Sequence, residues 1–444
     1  MDAIRDDIAA GLLKVGDRLP PQRQLADALG LSPQTVMRAY AEATRRGYVR
    51  GEVGRGTFVC FLQNQVSQLG EATLLRPDHG PIDFSQNLPL PGEAAGALME
   101  TLADLVRSGS CSDYLDHQRA DAGSRYRRAA AKWISALGLQ ADAQYVVLSN
   151  GAQQGILSVL MALLHPGDVL LTEVLSYAPL RALARHLGVR VVGVAIDDEG
   201  IVPDALESAC QQYKPRTLYL TPTLQTPTTA TMGEERRKRI VRVARAYDLT
   251  IVEDDVFGFL PPARPIPITA LAPERTFFIG SLSKSVAPGL RVGFVLAPAE
   301  YASAVNAAVN LSSWMPAPLM MEIAARWIDN GMASALNVRQ RAHAARRQLM
   351  ARAALIGLDY RADPHGLNLW LFLPDRWRAD AFAAEAERKG VLLRSAQAFG
   401  VPGVRAPSAV RVSLGHEASD ARVESGLRVV ADLIKSPVSG DFII

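Results

Sequence analysis

The sequence predicts a two-part protein: a small unit of three helices and a β-hairpin wing, then a large α/β domain on a mainly parallel sheet. Three observations predict it. Residues 1–61 carry dense, ordered punctuation, residues 62–81 lose all sustained periodicity, and from Ile82 short apolar runs alternate with longer amphipathic stretches. With 444 residues, 48% of them hydrophobic, the chain has material for more than one core.

In the first unit, Gly11 suits the end of a first helix, Pro21 the first position of a second, and Gly30 its close after Leu25 and Leu29. Ser32 suits the cap of a third helix. There Val36, Ala39, Tyr40 and Ala43 recur at helical spacing and form one packing face, leaving Gln34, Arg38, Ala41 and Arg45 on the opposite face. After Gly47, two short β-like runs flank Val53-Gly54-Arg55-Gly56, a hairpin tip with an arginine between glycines. Residues 62–81, rich in Gln, Asn, Ser, Gly and Pro, read as a linker.

Residues 82–444 form the large domain. Its expected strands are Tyr145 to Leu148, Val169 to Thr172, Arg190 to Val194, Thr217 to Leu220, Thr250 to Glu253, Thr276 to Ile279 and Val292 to Leu296. Helices such as Gln153 to Leu164 and Glu234 to Ala246 separate them. No internal repeat or low-complexity tract interrupts the pattern.

Charge and cysteine usage exclude several classes of function. The 48 Lys plus Arg against 45 Asp plus Glu leave only +3, so a nucleic-acid surface has to be local. Cys60, Cys111 and Cys210 lack a C-x-x-C spacing, which argues against a disulfide framework or thiolate metal site and fits a reducing cytoplasm. The uncharged run from Tyr301 to Met321 contains Asn306, Asn310, Ser312, Ser313, Pro316 and Pro318, so no membrane span is expected. The N-terminus has no basic-then-apolar order, and export is not expected either.

The third helix carries chemistry suited to nucleic acid. Gln34, Thr35 and Arg38 bear groups that hydrogen-bond base edges or phosphates, and the N-terminal end of such a helix enters a major groove. Between Arg23 and Arg55 lie six arginines (23, 38, 45, 46, 50 and 55) against Asp27, Glu42 and Glu52. An isolated three-helix cap with solvated arginines would look similar. However, the run from Gly11-Leu12-Leu13-Lys14-Val15-Gly16-Asp17-Arg18-Leu19-Pro20 through Arg23-Gln24-Leu25-Ala26 to Leu31-Ser32-Pro33-Gln34-Thr35-Val36 and Gly54-Arg55-Gly56-Thr57-Phe58-Val59 resembles the winged helix-turn-helix of GntR-type regulators. That resemblance implies contacts with a double-stranded DNA operator from Arg23, Ser32, Gln34, Thr35, Arg38, Gly54 and Arg55. Pro33 departs from the basic residue often found there.

Lysine is scarce, with only seven in the chain, so a buried one needs a chemical reason. Ser281-Leu282-Ser283-Lys284 follows an apolar strand and precedes Pro288-Gly289-Leu290-Arg291. Desolvation would lower the Lys284 amine for Schiff-base chemistry, while hydroxyls and a guanidinium suit a phosphate. Asp254 ends a strand thirty residues earlier, where a carboxylate could face a pyridinium nitrogen. Gly151, Ala152 and Gln153 open a helix and so offer backbone amides to an anion. Tyr177 could stack on a flat ring, and Arg411, in Ala409-Val410-Arg411-Val412-Ser413, could grip a carboxylate bidentately. Each of these residues also has an ordinary structural explanation when taken alone.

In this order the pieces resemble a fold type I pyridoxal phosphate-dependent aminotransferase over roughly residues 82 to 436. Joined to the wing, the chain resembles the MocR subfamily of GntR regulators. The resemblance implies pyridoxal 5'-phosphate as cofactor, with Lys284 as Schiff-base lysine, Asp254 on the ring nitrogen and Tyr177 stacked. It places Gly151, Ala152, Gln153, Ser281, Ser283 and Arg291 around the phosphate, and Arg411 on an effector carboxylate. Tyr114 matches the tyrosine that such homodimers lend to the neighbouring subunit's phosphate. Two departures stand out: Thr226 and Thr229 replace Asn and Gly of the N-P-T-G stretch, and Val256 and Phe257 stand where a tyrosine is expected. Both remove groups that hydrogen-bond the cofactor's phenolic oxygen. The expectation is a regulator sensing a small amine or amino acid, with a working aminotransferase bearing a DNA-binding appendage as the alternative.

Overall fold

The computed structural model describes residues 7, 13, 16–45, 48–52, 56–59, 80–90, 92–116 and 122–436. The chain divides into two compact units, Met1–Asp78 and His79–Ile444. The expected first helix ending at Gly11, the wing tip with Gly54 and Arg55, and linker residues 62–79 lie outside the described residues.

In the first unit, α1 spans Gln22–Leu29 and α2 spans Pro33–Arg45. Pro21 sits one residue before the helical position expected for it, with an extended ψ of 138°. Gly30 ends α1 in the left-handed region at φ +65°, where a Cβ is strained. Ser32 Oγ accepts from the Thr35 amide at 3.1 Å and caps α2, so Pro33 occupies a first-turn position that needs no donor. Val36, Tyr40 and Ala43 pack with Leu19, Ala26, Val49 and Val59. The Tyr40 hydroxyl donates to the Pro20 carbonyl at 2.6 Å, pinning the chain that enters α1 against α2. The wing pairs β1, Val49–Glu52, antiparallel with β2, Gly56–Val59.

The second unit is built on a seven-stranded sheet: β3 Val146–Ser149, β4 Val169–Glu173, β5 Arg190–Val194, β6 Thr217–Leu220, β7 Thr250–Asp254, β8 Thr276–Ser281 and β9 Gly293–Leu296. Their order is β3-β9-β8-β7-β6-β4-β5, and β9 alone runs antiparallel to its neighbours. β6, β8 and β9 are buried at every position, and such two-sided burial explains why the sequence shows continuous apolar runs rather than alternation. α3, Ala152–Leu163, begins one residue earlier than expected, because Gly151 at φ +84° turns the chain directly into it. α4 spans Glu234–Ala246.

A second, four-stranded antiparallel sheet contains β10 Tyr360–Ala362, β11 Asn368–Phe372, β12 Arg394–Ser395 and β13 Ala409–Ser413, in the order β10-β11-β13-β12. One of its faces, with Leu369, Leu371, Val410 and Val412, packs in a core with α5, Met332–Ala354, and α6, Asp420–Lys435. Among the described residues, no helix is long and apolar enough to cross a membrane.

Candidate functional site

The carboxyl ends of β3, β4, β6, β7 and β8 carry Ser149, Glu173, Leu220, Asp254 and Ser281, the end of an open α/β sheet where ligand crevices form. Lys284 follows Ser281 by three residues. It is half-buried, donates from Nζ to the Asn87 carbonyl, and lies 5.4 Å above the centre of the Phe257 ring. Burial lowers its amine to about 7. The Arg411 charge pushes in the same direction, and Asp254 opposes it. A neutral amine is therefore present in quantity near pH 7.

Asp254 is buried, and desolvation raises its carboxyl to about 6 despite a hydrogen bond from the Tyr219 hydroxyl at 2.5 Å. The Val256 amide approaches Asp254 Oδ1 at 3.4 Å, so this oxygen has only a weak protein donor. Glu173, fully buried beside them, accepts from the Thr221 amide at 2.8 Å and is raised by burial to about 7. It ties the loop after β6 to the end of β4. Tyr177 is half-buried, and its hydroxyl donates to Gln153 Oε1 at 3.4 Å. Burial raises that hydroxyl, and the Asp254 charge adds to the effect.

An anion cradle opens the site on one side. The first amides of α3, at Ala152 and Gln153, have no carbonyl within their own helix to bond. Arg291 reaches Ser283 Oγ at 3.5 Å and the Asn150 carbonyl at 3.4 Å, and Ser281 Oγ donates to Ser283 Oγ at 2.9 Å. A Cβ on Gly151 would collide with the Arg291 guanidinium, and one on Gly293 would overlap the Gly151 backbone. The two glycines thus keep the guanidinium, the helix end and the strand in close approach. A phosphate fits this donor set: hydroxyls, a guanidinium with its positive charge and the amides of a helix N-terminus converge here.

Arg411 lies in β13 and is 7% exposed, unlike an ordinary strand arginine. It donates to the Ser85 carbonyl at 2.6 Å and stands 4.9 Å over the Phe399 ring, and its buried Nε has no acceptor. Tyr114 ends a 3-10 turn and is held by Arg326, while burial and Glu322 raise its hydroxyl. In the first unit Arg23, Ser32, Gln34, Thr35 and Arg38 are all exposed, and Ser32 and Thr35 share a hydroxyl contact at 2.8 Å within the cap.

Tyr219, Glu173 and Arg394 were not singled out from the sequence. Tyr219 lies inside an uninterrupted apolar strand, and only its register partner Val252, two residues before Asp254, reveals that it reaches the carboxylate. Glu173 ends an apolar run, and a lone acid at such a strand end was the available signal. At the sites of the two departures, Thr226 is buried with its hydroxyl unpartnered, and Val256 and Phe257 pack with Leu224, Leu260 and Leu367.

Comparison with known proteins matches residues 80–427 to the family described as aminotransferase class I and II and residues 1–59 to the bacterial regulatory proteins of the gntR family. The HTH-type transcriptional regulator YdeF of Bacillus subtilis (strain 168) is 30% identical over 97% of this chain and 92% of its own length. The vitamin B6 salvage pathway transcriptional repressor PtsJ of Salmonella typhimurium is 29% identical over 93% of each chain. Among solved structures, the alpha-aminoadipate aminotransferase LysN of Thermus thermophilus, complexed with N-(5'-phosphopyridoxyl)-L-leucine, superposes with a TM-score of 0.73. It is 25% identical and covers 80% of this chain and 92% of that one.

Proposed function

We propose, for a chain that belongs to the aminotransferase class I and II family and carries a gntR-family domain in the MocR arrangement, that it is a transcriptional regulator whose large domain binds pyridoxal 5'-phosphate and senses a small amine or amino acid. A single observation carries this reading. One chain presents an exposed Gln34, Thr35 and Arg38 face and also a Lys284 amine, lowered by burial to about 7, set between Asp254 and a glycine-gated anion cradle.

When bound, pyridoxal 5'-phosphate supplies an aldehyde with which a primary amine condenses. In this reading the residues divide the work. Ser281, Ser283, Arg291 and the Gly151, Ala152 and Gln153 turn hold the phosphate. Asp254, oriented by Tyr219, keeps the ring nitrogen protonated through its lightly engaged Oδ1. Tyr177 covers a ring face, and Lys284 presents its neutral amine. Arg411, with an unpaired buried Nε, receives the effector's carboxylate. Val256 and Phe257 leave the phenolic edge without the hydroxyl that efficient turnover uses. This favours a sensor over a metabolic aminotransferase.

The reading also includes a homodimer in the cytoplasm, with Tyr114 lent to the second copy's phosphate site and paired wings on paired operator half-sites. Exposed Met99, Leu115, Leu311 and Trp314 supply apolar surface that such a copy would cover. Effector control requires that the amine bind two arrangements of the protein unequally.

A mobility-shift titration of the full-length protein on its own upstream DNA tests the proposal. Pyridoxal 5'-phosphate plus at least one member of an amino-acid panel is expected to change the DNA affinity. DNA affinity indifferent to every amino acid, together with rapid multiple turnover when an oxo acid is added, would establish the enzyme instead.

A further inference from the structure

We propose that Arg181 is a positioning residue for effector recognition: it clamps the two carbonyls that flank Phe399 and so holds the Phe399 ring against the Arg411 guanidinium. The inference rests on the reading of Arg411 as the residue that meets the effector carboxylate.

Arg181 lies in the helix Ala178–His186 and is half-buried. It donates from Nη1 to the Gly400 carbonyl and from Nη2 to the Ala398 carbonyl at 2.8 Å. Burial lowers its guanidinium, and among the described residues no carboxylate forms an ion pair with it. A planar fork bonded to two carbonyls fixes the turn between them, which a single-point donor such as lysine cannot do.

The residue in that turn is Phe399. Its carbonyl accepts from the Ser176 amide at 2.9 Å, and the Val401 amide donates to the Val174 carbonyl at 3.0 Å. Leu175 and Gly400 form an antiparallel bridge between these two bonds. The turn is thus zipped to the run that leads into Tyr177, and Arg181, five residues beyond Ser176, fastens it a second time.

With its backbone fixed, Phe399 puts its ring, 4% exposed, 4.9 Å from the Arg411 guanidinium and edge-on to Trp370 at 6.3 Å. Arg411 needs such a neighbour. Burial pushes its guanidinium down to about 9, Arg394 directly opposite in register pushes the same way, and Asp83 opposes them. The negative face of the ring favours the charged form, and a cation over that face keeps its in-plane donors. Arg411 spends one donor on the Ser85 carbonyl at 2.6 Å, and its buried Nε has no acceptor. Loosening the Arg181 clamp therefore weakens the hold on a carboxylate and leaves the phosphate cradle, built from other residues, as it was.

The test uses the full-length protein loaded with pyridoxal 5'-phosphate and compares L-alanine with ethylamine, which lacks the carboxylate, by the concentration of each that half-maximally changes the visible absorbance. In the native protein alanine should act at concentrations at least about tenfold lower. Arg181→Gln and Phe399→Leu should each reduce that preference by about fivefold or more, through alanine and not through ethylamine. Arg181→Lys should fall between the native protein and Arg181→Gln. Adding Arg181→Gln to Phe399→Leu should change nothing further, because both remove the same ring contact. Titration with the aldehyde shows that each variant is folded, and Arg181→Lys decides the matter if Arg181→Gln is not. An undiminished preference in the Arg181 variants, equal losses for alanine and ethylamine, or losses that multiply in the double variant overturn the positioning role alone. A native protein that treats alanine and ethylamine alike removes the reading of Arg411, and the role of Arg181 falls with it.

Discussion

The Tyr219 hydroxyl donates to Asp254 Oδ2 at 2.5 Å, joining two buried side chains on adjacent strands of the central sheet. Burial raises the Asp254 carboxyl, and this bond works against the rise. In Tyr219→Phe the carboxyl should climb further above about 6, leaving less carboxylate near pH 7 to pair with a protonated ring nitrogen. Affinity for pyridoxal 5'-phosphate should fall by about tenfold at pH 7 and by less at pH 8.5, as read by absorbance titration. Equal affinities for variant and native protein at both pH values would refute the role.

Gly151 occupies the left-handed region at φ +84°, with the Arg291 guanidinium packed where a Cβ would lie. Gly151→Ala should push that guanidinium out of the cradle and weaken binding of the phosphorylated aldehyde by at least about tenfold. Unphosphorylated pyridoxal should bind the variant and the native protein alike. If both aldehydes weaken together, the glycine supports the fold and not the phosphate.

Glu173, fully buried and raised from 4.5 to about 7, offers a test by pH. Between those values the folded protein keeps a proton that the unfolded chain has released. This group's contribution to stability therefore declines as pH rises through the window. Glu173→Gln has no such proton, so its stability relative to the native protein should grow by on the order of 3 kcal/mol from pH 4.5 to pH 8. Parallel thermal-unfolding curves across that range would contradict the assignment.

Arg38 is exposed on the face of α2 opposite Val36 and Tyr40. Arg38→Ala should reduce operator binding, and binding by the native protein should fall steeply as salt is raised. A filter-binding series over salt concentration measures both. Salt-independent binding, or an unaffected variant, would remove the α2 face from the interface.

Much of this architecture was legible in the sequence. All seven expected strands are members of the central sheet, and those buried at every position, β6, β8 and β9, must read as apolar runs bounded by turns. Gly151 and Arg411 stood out because a glycine before a helix and a charge inside Ala-Val-Arg-Val-Ser both break their local pattern. Pro21 was misplaced by one residue, since its ring suits both the helix entry and the extended residue before it. Tyr219 and Arg394 were not legible. What they do depends on which residue stands opposite them in a neighbouring strand, and register is set by pairing between segments far apart in the chain.

The absorbance of the purified protein and of its Lys284→Ala variant, each titrated with pyridoxal 5'-phosphate, tests the central claim most directly. The native protein should develop a visible band that saturates at one equivalent per chain, and Lys284→Ala should develop none while retaining its unfolding transition. A native protein that stays colourless, or a variant whose band matches the native one, would contradict the account.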